Sequence, residues 1–187
     1  MAKVLTPVDS EVLKDIVIDG DTYTHTSENL NKCTLLFDPA INKGIVKFEV
    51  LKVKYLPGLG IADESVRYGR NEMPWERISD WIVYYHCQGS IQHIGGRQIG
   101  ENSGFRNDGC IGMELNMESN PRSLTFFIDD KEQPDFIINI PKAVRIFCYI
   151  IGKGDSFKIT KFEFLSTPSA RHGKGSRAWE YGKEWKY

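Results

Sequence analysis

Six acidic residues recur within one stretch, DGCIGMELNMESNPRSLTFFIDDKEQ: Asp108, Glu114, Glu118, Asp129, Asp130 and Glu132. Two carboxylates about 5 Å or 6.5–9.5 Å apart, in a cleft with aromatic platforms, are what glycoside hydrolysis needs. Glu114, within CIGMELNM, and Asp129, at the end of SLTFFID, are the pair to test. The local pattern argues for a plainer role. Asp129-Asp130-Lys131-Glu132 has the composition of a polar hairpin turn, because short acidic side chains tolerate left-handed backbone and bond to their own main chain. These acids are therefore expected mostly at solvated turn and edge positions, with no catalytic pair among them.

Other chemistry is sparse. The four histidines, His25, His86, His93 and His172, show no metal-binding spacing, nor do the cysteines. Cys87 follows His86 directly, but neighbours on a strand point to opposite faces and cannot form a thiolate–imidazole pair. No Gly-x-Ser-x-Gly elbow is present. The glycine clusters Gly58–Gly60 and Gly95–Gly100 do not open a helix, so neither has the oriented N–H groups of a phosphate cradle. No catalytic residue, metal or cofactor is expected.

The elements that would position these residues are strands. GIVKFEVLKV alternates, with Val46, Phe48 and Val50 on one side and Lys47, Glu49 and Lys52 mostly on the other. LGIADE, WIVYYHC, SIQHI, CIGMELNM, SLTFFID, DFIINI, AVRIFCYII and SFKITKFEF follow, separated by Pro, Gly and Asn turns. Gln88-Gly89 is placed in a tight turn that would bring His86 and His93 onto neighbouring strands. Helix signals are confined to DSEVLKDI, with Ser10 or Asp9 as cap, and PWERISDW, with Pro74 in its first turn. Many strands with almost no helix mean an antiparallel sandwich or barrel.

The 187 residues suffice for one domain, and the net charge of -1 gives no pull toward nucleic acid or an anionic membrane. No apolar run approaches the roughly 20 residues of a membrane span, and the first residues lack a signal peptide's apolar segment. Cys33, Cys87, Cys110 and Cys148 all lie in apolar or strand-like runs and are expected as free, structural thiols in a cytoplasmic (or nuclear) setting. After Leu165 the composition becomes basic and aromatic, with Trp179, Tyr181, Trp185 and Tyr187. That tail is expected either to be flexible or to pack its rings back onto the domain; the alternative is a tail that binds nucleic acid or a partner.

The order of these blocks resembles the SPRY domain family over Cys33 to Leu165. The carriers are GIVKFEV, LGIADES, WIVYYHCQGSIQHIGGRQIG, the block NDGCIGMELNMESNPRSLTFFIDD, and IPKAVRIFCYIIGKGDSFKITKF. Departures fall in turns: Asp108-Gly109 reverses the usual order, Asn116 replaces an Asp, and Ser119-Asn120-Pro121 lengthens a hairpin. The resemblance implies an all-β, bent antiparallel two-sheet sandwich of concanavalin-like jelly-roll topology with one or two short helical turns. It would span 25–165, between an N-terminal extension (1–24) and a C-terminal tail (166–187). It also implies a non-catalytic module that binds a protein or peptide through loops at one end; a lectin-like carbohydrate-binding sandwich, with Trp75 or Trp81 as platform, is the alternative. Neither nucleic acid nor membrane is an expected partner. The loops implied are His25–Lys32 with Asn29 and Asn31, Lys54–Gly58 with Tyr55, SVRYGRNEMPW with Arg67, Tyr68 and Arg70, and the turn Ile151-Gly152-Lys153. Tyr68 is expected at the centre of the pocket, and the Trp that peptide-binding members carry in the last loop is replaced by Ile151. Arg, Tyr and Trp suit interfaces because they bury much area at modest entropy cost. Trp75 could serve there or plug the core.

Overall fold

In a computed structural model, which describes residues 4–76 and 81–186, the chain folds into two sheets. The first has the order β1 (Thr6–Pro7), β4 (Cys33–Asp38), β14 (Val144–Ile150), β6 (Gly58–Asp63), β7 (Ile82–His86), β8 (Ile91–Gln92), β9 (Gln98–Ile99). The second runs β16 (Arg177–Glu180), β13 (Asp135–Ile138), β11 (Ser123–Ile128), β10 (Cys110–Asn116), β5 (Ile45–Lys52), β15 (Ser156–Leu165), β3 (Thr22–His25), β2 (Ile16–Asp19), with β12 (Lys131–Glu132) added beside β11. This is the expected two-sheet β-sandwich. Among the described residues no helix is long and apolar enough to cross a membrane.

The period-2 pattern builds the core. Val46, Phe48 and Val50 of β5 are fully buried, and Leu35, Phe37, Cys148, Ile150, Leu59, Ile61, Val83 and Tyr85 of the facing sheet are buried as well. Lys52, expected on the outside, is buried at the strand end, where its ammonium donates to the Phe105 carbonyl at 3.3 Å. The four cysteines are unbridged. Burial pushes the Cys33 thiol up to about 12 and the Cys148 thiol higher than an ordinary thiol, so both behave as packing groups.

The opening stretch is a scaffold hairpin. β10 and β11 pair antiparallel with Glu114 opposite Thr125. Asp129 and Asp130 both take positive φ (47° and 65°), as a tight two-residue turn requires, and Asp129 accepts the Cys110 N–H at 2.9 Å. Glu114 departs from the expected solvated position. It is buried, 3.7 Å from the Lys47 ammonium, and accepts the backbone N–H groups of Ser169 and Ala170 and the Ser169 hydroxyl. The reason is the tail, which lies over β10 instead of leaving it open to water.

The sheets therefore extend beyond the boundaries expected at 25 and 165. Before 25, β2 and β3 continue the second sheet from β15. After 165, β16 pairs with β13, and Trp185 is buried. Of the two expected helices, DSEVLKDI forms one 3-10 turn (Glu11–Asp15), whose N-cap Ser10 accepts the Val12 N–H at 3.3 Å. PWERISDW falls partly on 77–80, outside the described residues, and Pro74–Glu76 form a turn. Gln88-Gly89 does turn the chain, but the histidines do not face each other: His86 lies 3.0 Å from Gln92 Oε1, whereas His93 reaches the Ile82 carbonyl at 2.6 Å.

β6 has a tight steric constraint. A Cβ on Gly60 would sit 1.8 Å from the Val83 carbonyl oxygen, which is backbone and cannot yield. Gly60→Ala should accordingly destabilise the chain by about 1–3 kcal/mol or more, as overpacking does. A lower urea midpoint at unchanged slope is the expected result; an unchanged midpoint would show that β6 and β7 can separate.

Candidate functional site

Strand register gathers the loops. Cys33 pairs with Ile150, Gly58 with Tyr149, and Gly58 with His86. The segments 26–32, 53–57, 87–90 and 151–155 therefore leave the sandwich at one end. The segment after β6 begins at the opposite end but returns along the outer face of the first sheet. Its Tyr68 ring lies 6.4 Å from Phe147, and Trp75 packs 5.3 Å from Tyr84 and 5.7 Å from Tyr149. The Thr34 hydroxyl donates to the Glu72 carbonyl at 2.8 Å, and the Lys32 N–H to Asn71 Oδ1 at 3.0 Å. Gly58 makes room for this layer, since a Cβ there would meet the Tyr84 ring at 2.4 Å.

Asp15, with no exposed surface, ties the loops together. Arg70 grips its carboxylate with both arms, Nε to Oδ2 at 2.8 Å and Nη2 to Oδ1 at 2.7 Å. Asn29 donates to Oδ1 at 2.8 Å and Asn31 to Oδ2 at 3.1 Å. The Arg70 hydrogen bonds hold the Asp15 carboxyl well below the usual carboxylate range, against the opposing effect of burial. Three of the sequence-predicted site residues thus meet at an acid that sequence reasoning had placed only in a helical turn. The 151–155 turn is tied in beside them. Asp155 accepts the N–H groups of Gly152 and Ile151, and a Cβ on Gly152 would press on that carboxylate at 2.7 Å. The His25 N–H donates to the Asp155 carbonyl at 2.9 Å, and its ring bridges the carbonyls of Thr26 (2.8 Å) and Asn31 (2.7 Å). Lys54 donates to the Lys153 carbonyl at 3.1 Å, linking the second loop to the fourth.

Tyr68 does not present an exposed ring. It is buried, its hydroxyl donates to the Pro74 carbonyl at 2.6 Å, and burial drives its phenol well above the usual range. The loop folds back on the sheet because its apolar residues, Val66, Tyr68, Met73 and Trp75, cover outward-facing rings of the first sheet such as Phe147, which is fully buried. Arg67 points out but donates to the carbonyls of its own loop, Glu64 and Val66, both at 2.8 Å. The exposed apolar surface at this end belongs to Leu30, 64% exposed, Tyr55, 46% exposed, and Val53, 41% exposed. The Tyr55 hydroxyl is 4.0 Å from the Cys87 sulfur, and the Lys52 ammonium lies 5.2 Å over its ring. Ile151 and Gly152 are half-buried and Lys153 is exposed.

Sequence reasoning missed the aromatic layer under the loops. Tyr84, His86, Phe147 and Tyr149 form it together with Trp75, which joins it as packing, half-buried, with His86 6.2 Å from its ring. The signal was available: alternate residues of WIVYYHC and AVRIFCYII are aromatic on the face opposite the core, so something had to cover them. Among the described residues no group of His, Cys, Asp and Glu could hold a metal ion.

No family model and no curated protein matches the chain. Solved structures do. The SPRY domain of human HERC1 superposes with a TM-score of 0.60 at 16% identity, covering 77% of this chain and 91% of that one. The TRIM65 PSpry domain gives 0.63 at 12% identity, covering 86% of this chain and 90% of that one. The chain has the SPRY fold.

The depressed Asp15 carboxyl has a consequence for stability. A lowered folded-state value contributes stability that is full above the unfolded value, about 3.9, and is lost as the pH falls through the folded one. Asp15→Asn should therefore melt lower than the wild type at pH 7, and the gap should narrow below about pH 4. Thermal scans of both proteins from pH 7 to pH 2.5 check this; a constant gap would mean that Asp15 acts by shape and not by charge.

Proposed function

We propose that this SPRY-type sandwich is a non-catalytic module that binds a protein or peptide partner through the loops gathered around Asp15. The observation that carries the reading is the joining of separate loops into one surface: Asn29, Asn31 and Arg70 on a single buried carboxylate, with Leu30 and Tyr55 left exposed nearby. Loops locked before binding lose little entropy on complex formation. A planar exposed ring with a phenolic hydroxyl can grip peptide backbone and apolar side chains together. The surface takes in Asn29, Asn31, Tyr55, Arg67, Arg70, Ile151, Gly152 and Lys153, with Tyr68 acting beneath it as support and Tyr55 as its exposed ring.

Two features argue against the other readings. Both carboxylates of the hydrolytic pair are engaged: Glu114, though it borders a surface cavity, is buried and accepts tail N–H groups, and Asp129 accepts the Cys110 N–H. Trp75, one of the two rings a lectin-like site would use, is half-buried between Tyr84 and Tyr149.

Peptides selected from a displayed library against the purified chain, followed by calorimetric titration of the best binder, provide the test. Removing a central anchor typically costs about 2 kcal/mol or more, roughly a thirtyfold loss of affinity. Tyr55→Ala should lose affinity on that scale without a change in melting temperature, and Lys153→Ala should change mainly the salt dependence. If the two variants bind like the wild type, or if only glycans are retained by the chain, the reading fails.

A further inference from the structure

A second built site lies at the opposite edge of the second sheet from β3 and β2. There β16 joins β13 in parallel register, Asp135 beside Arg177 and Ile138 beside Glu180, although β11 and β13 pair antiparallel. The anchor is a carboxylate with no exposed surface. Asp135 receives Arg177 in a bidentate fork, Nε to Oδ1 at 2.8 Å and Nη2 to Oδ2 at 3.0 Å, and the Trp179 indole N–H to Oδ1 at 2.9 Å. Such a fork recognises a planar guanidinium in one orientation. Glu101 adds a carboxylate 3.2 Å from the same guanidinium.

Beyond the strand, His93 forms the second part of the site. Its Nδ1 faces the Ile82 carbonyl, which leaves Nε2 to accept the Gly182 N–H at 2.9 Å. The Tyr181 and Trp185 rings lie 4.6 Å and 5.0 Å from the imidazole, and Trp185 is buried. The domain supplies an acid, a ring and a strand edge; the segment supplies Arg, Trp and backbone.

The link between the sandwich and this segment is held at residues 169–172 by backbone and side chain together: the Ser169 hydroxyl donates to Glu114, and the His172 ring stacks on Phe136 at 3.7 Å and lies 2.8 Å from the Thr125 hydroxyl. Glu114 and Glu132 accept backbone N–H groups of residues 169–172, which any sequence except proline would offer. Gly173 and Gly175 have open space where a side chain would be. Beyond these two glycines the contacts of Arg177–Trp185 form a separate group, as in a ligand carried on a short tether that starts after His172.

We propose that the β13 edge, with Asp135 and His93, is a peptide-binding site whose resident ligand is the chain's own segment 176–186, and that it accepts the same segment from a second copy in trans, as an extended Arg-x-Trp peptide added in parallel. A tethered ligand competes at an effective concentration of about millimolar, so the wild-type chain should bind the free segment weakly. Arg177→Ala in the full chain loosens the resident and leaves the acceptor intact.

The probe is a fluorescein-labelled synthetic peptide of residues 176–186, followed by anisotropy. It should bind the Arg177→Ala chain at least tenfold more tightly than the wild-type chain. A peptide carrying Arg177→Ala itself should not bind, and the double variant Arg177→Ala/Asp135→Asn should lose binding of the wild-type peptide. Equal, absent or Arg-independent binding would overturn the proposal. Unfolding of the Arg177→Ala chain in a thermal scan would overturn it too, because the segment would then be an inseparable part of the fold.

Discussion

A carboxylate removed from water keeps its charge only if donors replace the lost hydration, and a buried ion left without them costs several kcal/mol. Asp15 meets that requirement with Arg70, Asn29 and Asn31, and in doing so fixes the positions of segments that no sheet hydrogen bonds could order. The same rule recurs around the sandwich. Asp155 closes the turn at Gly152, Glu114 holds residues 169–170, and Asp135 holds Arg177 and Trp179. The strands make the frame, and buried acids attach what lies outside it.

This division explains the form of the candidate surface. An aromatic layer on the outer face of the first sheet needs a cover, and the returning segment from Val66 to Trp75 provides it. Covering brings Arg70 within reach of Asp15 and Asn71 within reach of Lys32. Tyr68 is spent on the cover, so the exposed ring on the neighbouring loops is Tyr55.

The fold was legible because its evidence is local. Alternation in GIVKFEV, the Asp129-Asp130 turn and the block around Met113 each specify strand or turn from a few neighbouring residues, and the sandwich follows from their order. Burial of individual polar residues was not, because it depends on segments distant in sequence. Glu114 reads as solvated until residues 169–170 are laid over it. Asp15 reads as part of an amphipathic turn until Arg70, far along the chain, arrives beside it. Tyr68 reads as an anchor from the loop order of the resembled family and from its ring chemistry, and only the pairing of β6, β14 and β7 reveals the apolar face that draws it in. The tail was ambiguous for the same reason: its Trp and Arg residues suit a partner, and Asp135 and His93 of the same chain are that partner here.

The central claim is that the loop end around Asp15 is where another protein is recognised. It is tested most directly by mapping, in solution, the backbone amide shifts of the isotopically labelled chain as a selected peptide is added. The account predicts that perturbed amides gather in 26–32, 53–57, 67–76 and 151–155, with β13 and β16 unmoved. Shifts concentrated on β13 and β16, or spread over the outer face of the second sheet, would contradict it.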